Sequence, residues 1–291
     1  FSGDKLLGAL QRLAALLPET SSYVEVGVFD GLTLLSVAGA CPALACFGID
    51  DGSFAGGDFS SVDQIQQARG NSNARVIVDD YERVFEQFRA RIGERPIGLY
   101  FVDGPHDYRS QRMCLDLAVP YLATDAVIVV DDSNYEHVRQ ANRDFLVSRP
   151  EFRLVFDAYT DCHPHNMTEA QIVAARAGWW DGVNIMVRDP DSTLERTYPP
   201  VAASRDRYLL DHRIHASGAA PFMSDVVALA ESILTGDVSP RAALRSLVTI
   251  ARTRIRSRAR FKNCNTDSDA LPASRYASLC SSTSSDRLPP L

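Results

Sequence analysis

Paired cysteines, long apolar runs and basic excess are all missing from this sequence, and each absence removes a class of protein. Its six cysteines (Cys41, Cys46, Cys114, Cys162, Cys264 and Cys280) form no CxxC pair, and several fall in helix-like or strand-like stretches. That pattern argues against a disulfide framework and fits reduced thiols in a cytoplasmic setting. No stretch is long and apolar enough to span a bilayer, and the N-terminus lacks the basic-then-apolar layout of a signal peptide. The chain opens on Phe1 rather than Met, which fits a trimmed chain with sequence upstream. A formal charge of -7 speaks against nucleic acid as a partner, because phosphate neutralisation needs a basic footprint. A small molecule is the expected partner, and a homo-oligomer is compatible with the sequence.

What is present is enough apolar sequence for one large core: 291 residues, 45% hydrophobic, sufficient for a single α/β domain with appendages. Leu6, Leu7, Leu10, Leu13 and Leu16 recur at helical spacing, and this helix is expected to cover a sheet. Strands are predicted at 23–28, 45–50, 75–78, 97–103, 126–131, 153–156 and 183–187, separated by helix-sized intervals and ending in a hairpin from 152 to 188. The fold expected is α/β: a Rossmann-like, seven-stranded, mostly parallel sheet with helices on both faces and a C-terminal helical extension. Residues 158–182 then form a long insertion between the last two strands, of the kind that supplies lids or binding loops.

The domain is predicted over 1–200 and the helical extension over 201–263, with helices at 223–234 and 242–256. Ser239 and Pro240 would open the second of these helices. Residues 264–291, Ser-rich and weakly apolar, read as a disordered tail. Between Arg241 and Asn263 lie seven Arg and one Lys without an acidic residue. That stretch reads first as a solvated helical face, and second as a contact for an anionic membrane surface.

Two constellations carry chemistry. The first is Tyr23-Val-Glu-Val-Gly-Val-Phe-Asp-Gly, which places Gly27 and Gly31 in the turn after the first strand, where glycine allows close ligand approach and positive φ. A dinucleotide fingerprint needs a glycine where Phe29 stands, so nicotinamide chemistry is disfavoured. Asp50 ends the second strand, where a carboxylate can accept ribose hydroxyls; the competing reading is a solvated turn residue. The second constellation is Tyr100-Phe-Val-Asp-Gly-Pro-His-Asp-Tyr followed by Val127-Ile-Val-Val-Asp-Asp-Ser. If these strands are neighbours, Asp103, Asp131 and Asp132 converge at the carboxyl edge of the sheet. Three clustered carboxylates repel one another and call for a hard divalent cation such as Mg²⁺. The competing reading is that each aspartate caps the next helix. His106 is a candidate proton acceptor, with Asp103 as the alternative base; His106 could also orient a neighbour or simply begin a helix.

Glu25-x-Gly27-x-x-x-Gly31 resembles motif I of the class I S-adenosylmethionine-dependent methyltransferases. Asp103-Gly-x-His-x-Tyr followed by Asp131-Asp132 resembles the metal-dependent sugar O-methyltransferases of macrolide and aminocoumarin antibiotic pathways, over roughly residues 20–190. The resemblance implies S-adenosylmethionine as cofactor, with Glu25 near its methionine end, Asp50 at the ribose and Asp79 or Asp80 near the adenine amino group. It implies Mg²⁺ on Asp103, Asp131 and Asp132, and a sugar hydroxyl as methyl acceptor. Pro105 departs from the family pattern and predicts a stiffer loop. A catechol-type acceptor and a non-catalytic S-adenosylmethionine-binding module are the alternatives. Asp161-Cys-His-Pro-His reads as a polar lid loop because a second ligand pair for zinc is missing. Trp179-Trp180 reads equally as a sugar platform or as core.

Overall fold

The computed structural model describes residues 2–53, 59–69 and 73–201 and, beyond them, only 226, 229–230, 233–234, 244 and 247–252. The chain divides into two units, Phe1–Ala202 and Ala203–Leu291. In the second unit the described residues are helical and fall within the two helices expected at 223–234 and 242–256. The rest of those helices, most of the basic stretch 241–263, and the tail 264–291 with Cys264 and Cys280 lie outside the described residues. No described helix is long and apolar enough to cross a membrane.

The first unit alternates strands and helices. The strands are β1 (Ser22–Val26), β2 (Ala45–Asp50), β3 (Ala74–Val78), β4 (Ile97–Val102), β5 (Leu122–Val130), β6 (Phe152–Ala158) and β7 (Val183–Arg188). The helices are α1 (Asp4–Ala15), α2 (Leu32–Ala40), α3 (Ser60–Arg69), α4 (Tyr81–Glu86), α5 (Phe88–Arg91), α6 (Tyr108–Ala118), α7 (Glu136–Ser148) and α8 (Glu169–Arg176). The seven strands form one sheet in the order β3-β2-β1-β4-β5-β7-β6. β1 to β5 run parallel, and β7 lies antiparallel to both β5 and β6. The expected seven-stranded, mostly parallel sheet with a terminal hairpin is what the chain adopts.

The β4 sequence explains why the sheet is covered on both faces. All six of its residues are buried: Tyr100 and Val102 join the cluster containing Phe85 and Phe88 of α4–α5, Leu115 of α6 and Phe145 of α7. Leu99 and Phe101 join the opposite cluster with Leu6 and Leu10 of α1 and Leu34 and Val37 of α2. A strand with period two and no polar face needs helices on both sides. Two expectations shift at the margins. β1 stops at Val26 rather than residue 28 because Gly27 takes φ 91°, and Leu16 lies past the end of α1 with 81% of its surface exposed. The insertion between β6 and β7 is ordered, holding a 3-10 turn at Pro164–Asn166 and α8. A capping box starts α8: Thr168 Oγ1 accepts from Gln171 N while Gln171 Oε1 accepts from Thr168 N.

A polar chain ties α6, α7, β7 and this insertion together. Gln111 Nε2 donates to Asn142 Oδ1 (3.0 Å), Asn142 Nδ2 to Asn184 Oδ1 (2.9 Å), and Asn184 Nδ2 to the Tyr159 hydroxyl (2.9 Å). Gln111, Asn142 and Asn184 are fully or almost fully buried, so each amide has little recourse to water. Asn142→Leu should therefore destabilise the chain by roughly 1–3 kcal/mol for each amide group it orphans. The denaturant midpoint should fall with an unchanged slope. A midpoint at the wild-type value would show that the network is dispensable.

Candidate functional site

The strand order reverses between β1 and β4, and open α/β sheets bind ligands at the carboxyl edge beside such a switch. Here the two loops at that edge touch. Asp103 N donates to Val26 O at 2.9 Å, and a Cβ on Gly27 would sit 1.9 Å from the Asp103 carbonyl oxygen. This corrects the reason for Gly27: its first obstacle to a side chain is the protein's own β4 loop, not a ligand. Gly31, the N-cap of α2 with φ 75°, is crowded in turn by Val62, whose Cγ2 would lie 2.7 Å from an added Cβ. Asp50 organises the same turn. Its Oδ2 accepts from Val28 N (2.8 Å) and Phe29 N (3.1 Å), and its Oδ1 accepts from Gly52 N (2.8 Å). Both carboxylate oxygens are engaged in shaping the loop, so Asp50 acts as a turn residue held by backbone bonds rather than left to solvent.

Glu25 is fully buried on β1. The Tyr23 hydroxyl donates to its Oε2 at 2.5 Å, while Oε1 has no hydrogen-bond partner. Burial pushes its carboxyl up to about 8, with the Tyr23 hydrogen bond and the nearby Thr33 hydroxyl opposing the shift and the charges of Asp103 and Asp50 adding to it. An orphaned, buried carboxyl oxygen beside a glycine turn fits the cationic methionine end of S-adenosylmethionine, which would relieve the cost of ionising the group. Asp79 and Asp80 have local partners. Asp79 pairs with Arg91 (3.1 Å) and Arg83 (3.6 Å), and Asp80 caps α4 by accepting from Glu82 N (2.7 Å).

The carboxylates after β4 and β5 do converge. Asp131 N donates to Val102 O (3.0 Å), which continues the parallel ladder past the end of β5. One oxygen each from Asp103 and Asp132 and one ring nitrogen of His106 lie within 4.8 Å of one another. His106 Nε2 is 2.8 Å from Asp132 Oδ2 and 3.9 Å from Asp103 Oδ1. Even the shorter contact lacks the alignment of a hydrogen bond. Asp131 is buried, and neither of its carboxylate oxygens has a partner. The structure thus groups His106 with Asp103 and Asp132 more tightly than it does Asp131.

Neither strand-end aspartate caps the following helix. Asp107 caps α6 by accepting from Ser110 N (3.0 Å), and the N-cap of α7 is Tyr135, with no side-chain cap. With capping excluded, the clustered charges remain to be explained. Burial raises the Asp131 carboxyl well above the usual range, and the charges of Asp103 and Asp132 push the same way. Burial also raises Asp103, partly offset by His106. For His106, burial pulls down, but the contacts and charges of Asp103 and Asp132 prevail and push the imidazole up to about 10. Asp132 itself sits at φ 51°, a left-handed conformation that aspartate tolerates better than most residues. Oxygen-rich donors with one imidazole, clustered at a sheet edge, suit a hard divalent cation.

Sequence reasoning missed a further set of residues against this cluster. Tyr135 stacks on the His106 ring (centroids 4.9 Å apart, planes 9°), and its hydroxyl shares a 2.8 Å hydrogen bond with His163 Nε2. His163 lies 3.6 Å from the buried Asp181, whose carboxyl burial pushes up to about 6. The sequence signals are Asp161-Cys-His-Pro-His, which contains His163, and the Asp-Gly after Trp179-Trp180, which contains Asp181; neither pattern shows the reach to Tyr135. The tryptophan pair resolves in part: Trp179 packs on Phe156 (4.9 Å) beside the α1–α2 core cluster.

Glu25 yields a pH prediction. Between about 4.5 and about 8 the folded chain holds a proton that the unfolded chain releases, so this group makes stability fall as pH rises through that window. Glu25→Gln keeps the shape without a proton to lose. Its melting temperature should gain on the wild type steadily across the window, whereas parallel curves would show an ordinary carboxylate.

Residues 24–133 match the family described as "Methyltransferase domain". No curated protein matches the chain. Among solved structures, similarity is found to CalS11, described as a TDP-rhamnose 3'-O-methyltransferase of calicheamicin biosynthesis (19% identity, 52% of this chain and 72% of that one, TM-score 0.45). It is also found to the O-methyltransferase TomG from Streptomyces achromogenes (19%, 64% and 80%, 0.47) and to an O-methyltransferase from Bacillus cereus (16%, 64% and 82%, 0.48). These likenesses are too loose to carry weight beside the chain's own topology. The strand order with its antiparallel β7 and the match over residues 24–133 agree: the chain has a Rossmann-like seven-stranded fold that is similar, from within β1 to just past β5, to a methyltransferase domain.

Proposed function

We propose that this chain moves the methyl group of S-adenosylmethionine to an acceptor hydroxyl, that a divalent cation held by Asp103, Asp131 and Asp132 assists the transfer, and that the acceptor is a sugar or a glycosylated small molecule. The observation that carries the reading is the convergence of carboxylates and His106 at the sheet edge, one backbone contact away from the glycine turn. The sugar acceptor rests on the Asp103-Gly-x-His-x-Tyr and Asp131-Asp132 pattern.

The division of labour follows from chemistry. When bound, S-adenosylmethionine supplies a methyl already activated by its sulfonium, and Mg²⁺ supplies charge that acidifies and orients a hydroxyl. The remaining tasks fall to the chain. Asp103, Asp131 and Asp132 bring negative charge that burial makes costly without a cation, and two strand ends hold them fixed, which keeps the acceptor oxygen aligned at little entropic cost. His106 Nε2 takes the hydroxyl proton. Its neighbours raise its proton affinity, and sharing their charge with a cation would bring the imidazole back toward the neutral range in which a general base works best. Glu25 and the Asp50-organised turn hold the cofactor on the other side of the Gly27–Asp103 contact.

The test is S-adenosylhomocysteine release with a panel of sugar nucleotides, glycosides and catechols. Turnover should require Mg²⁺, stop with chelator and return on adding Mg²⁺, while cofactor binding persists. Asp132→Ala should lose Mn²⁺ affinity along with activity, whereas His106→Ala should keep Mn²⁺ affinity and lose about 100-fold or more in rate. Loss of Mn²⁺ affinity in His106→Ala would make it a cation ligand rather than the base. Full turnover by chelator-treated protein would remove the metal from the mechanism.

A further inference from the structure

The insertion between β6 and β7 is tied at both ends to the turn that carries Asp131 and Asp132. At its start, Thr160 N donates to Asn134 Oδ1 (3.1 Å), and Asn134 Nδ2 donates back to Thr160 Oγ1. At its end, Asn134 Nδ2 donates to Asp181 Oδ1 (2.9 Å), Asn134 N to Asp181 O (2.9 Å) and Ser133 N to Gly182 O (3.2 Å). The fit there is tight: Gly182 has φ 89°, and an added Cβ would lie 2.9 Å from Asn134 N. The middle of the insertion reaches the site itself, since His163 holds the hydroxyl of Tyr135, and Tyr135 lies flat on His106.

We infer that Tyr135, clamped by His163, is a positioning residue that fixes the ring plane of His106 and so aims Nε2 between Asp103 and Asp132. An imidazole has two soft torsions, and a 2.8 Å contact without hydrogen-bond alignment does not by itself fix them. A parallel aromatic face does restrict the ring plane. The face is in turn held from the far side by a histidine seated over buried Asp181, which the Asn134 amide holds. The insertion therefore acts as a strap that orders the proposed base.

The catalytic part of this inference rests on the proposed function, but its geometric part does not, and the test separates them. In the full chain with labelled histidine, His106 is assigned by its loss in His106→Gln. Its ring protons should be shifted upfield by the Tyr135 face. Tyr135→Phe keeps the ring and removes the hydroxyl, and His163→Gln removes the clamp; each should move the His106 resonances toward their unstacked positions. The double variant should go no further than either single one, because both break the same link. Tyr135→Leu marks the unstacked limit, and circular dichroism confirms that the variants fold. With an acceptor turned over by the wild type, Tyr135→Phe should lose about 10- to 100-fold in kcat at an unchanged KM for S-adenosylmethionine. Wild-type His106 resonances in Tyr135→Phe and His163→Gln would overturn the inference. Shifted resonances in a chain that methylates nothing would instead uphold the strap and count against the proposed function.

Discussion

The rest of the molecule depends on one close approach, that of the turn after β1 to the end of β4. Gly27 has no side chain and takes φ 91°, and with a Cβ it would collide with the Asp103 carbonyl. Because that space is empty of side chain, Asp103 N can bond Val26 O, and the turn proposed to hold the cofactor stands against the first carboxylate of the cluster. A methyl donor and an acceptor must meet within a few ångströms, and a backbone contact between two parallel strands sets such a distance more rigidly than side chains on separate loops. The flanking helices serve the same end. With β4 buried on both faces, its terminus has little freedom to drift.

Around that contact the charge is arranged unevenly. Glu25, Asp103 and Asp131 all have carboxyls raised by burial, and Glu25 and Asp131 have oxygens without partners. A core built for stability alone would not hold unpaired carboxyls, because each costs free energy that apolar packing would recover. Their concentration on both sides of the Gly27–Asp103 contact is expected if cationic ligands, a sulfonium amino acid on one side and a divalent metal on the other, complete the electrostatics. Local structure accounts for the other acids nearby. Asp50 shapes the turn, Asp80 and Asp107 cap helices, and Asp79 pairs with arginines, which explains why so many aspartates follow strands without all facing a ligand.

Much of this was legible in the sequence, for a physical reason. A parallel strand buried on both faces must be a near-continuous apolar run, so β4 stands out as 97–103; β2, only partly buried, still reads as 45–50, and the carboxylates at their ends follow by inspection. Strand termini were less legible: Gly27 marks the turn, but the apolar Val28 beyond it extends the strand pattern to 28, past the true end at Val26. Tertiary proximity was least legible. That His106 lies nearer than Asp131 to the Asp103–Asp132 pair depends on side-chain torsions after two different strands. The reach of His163 to Tyr135 depends on the path of an insertion whose sequence shows only that it is polar. The cap reading of Asp103 failed because Asp107, four residues on, serves as the cap.

The central claim is that the turn from Glu25 to Gly31 binds S-adenosylmethionine, and calorimetry tests it without any knowledge of the acceptor. Titrating S-adenosylhomocysteine and, separately, NAD into the full chain in the presence of chelator should show one saturable site for the first and none for the second. Glu25→Ala should weaken the site. Binding of NAD in place of S-adenosylhomocysteine, or an unchanged S-adenosylhomocysteine affinity in Glu25→Ala, would contradict the assignment.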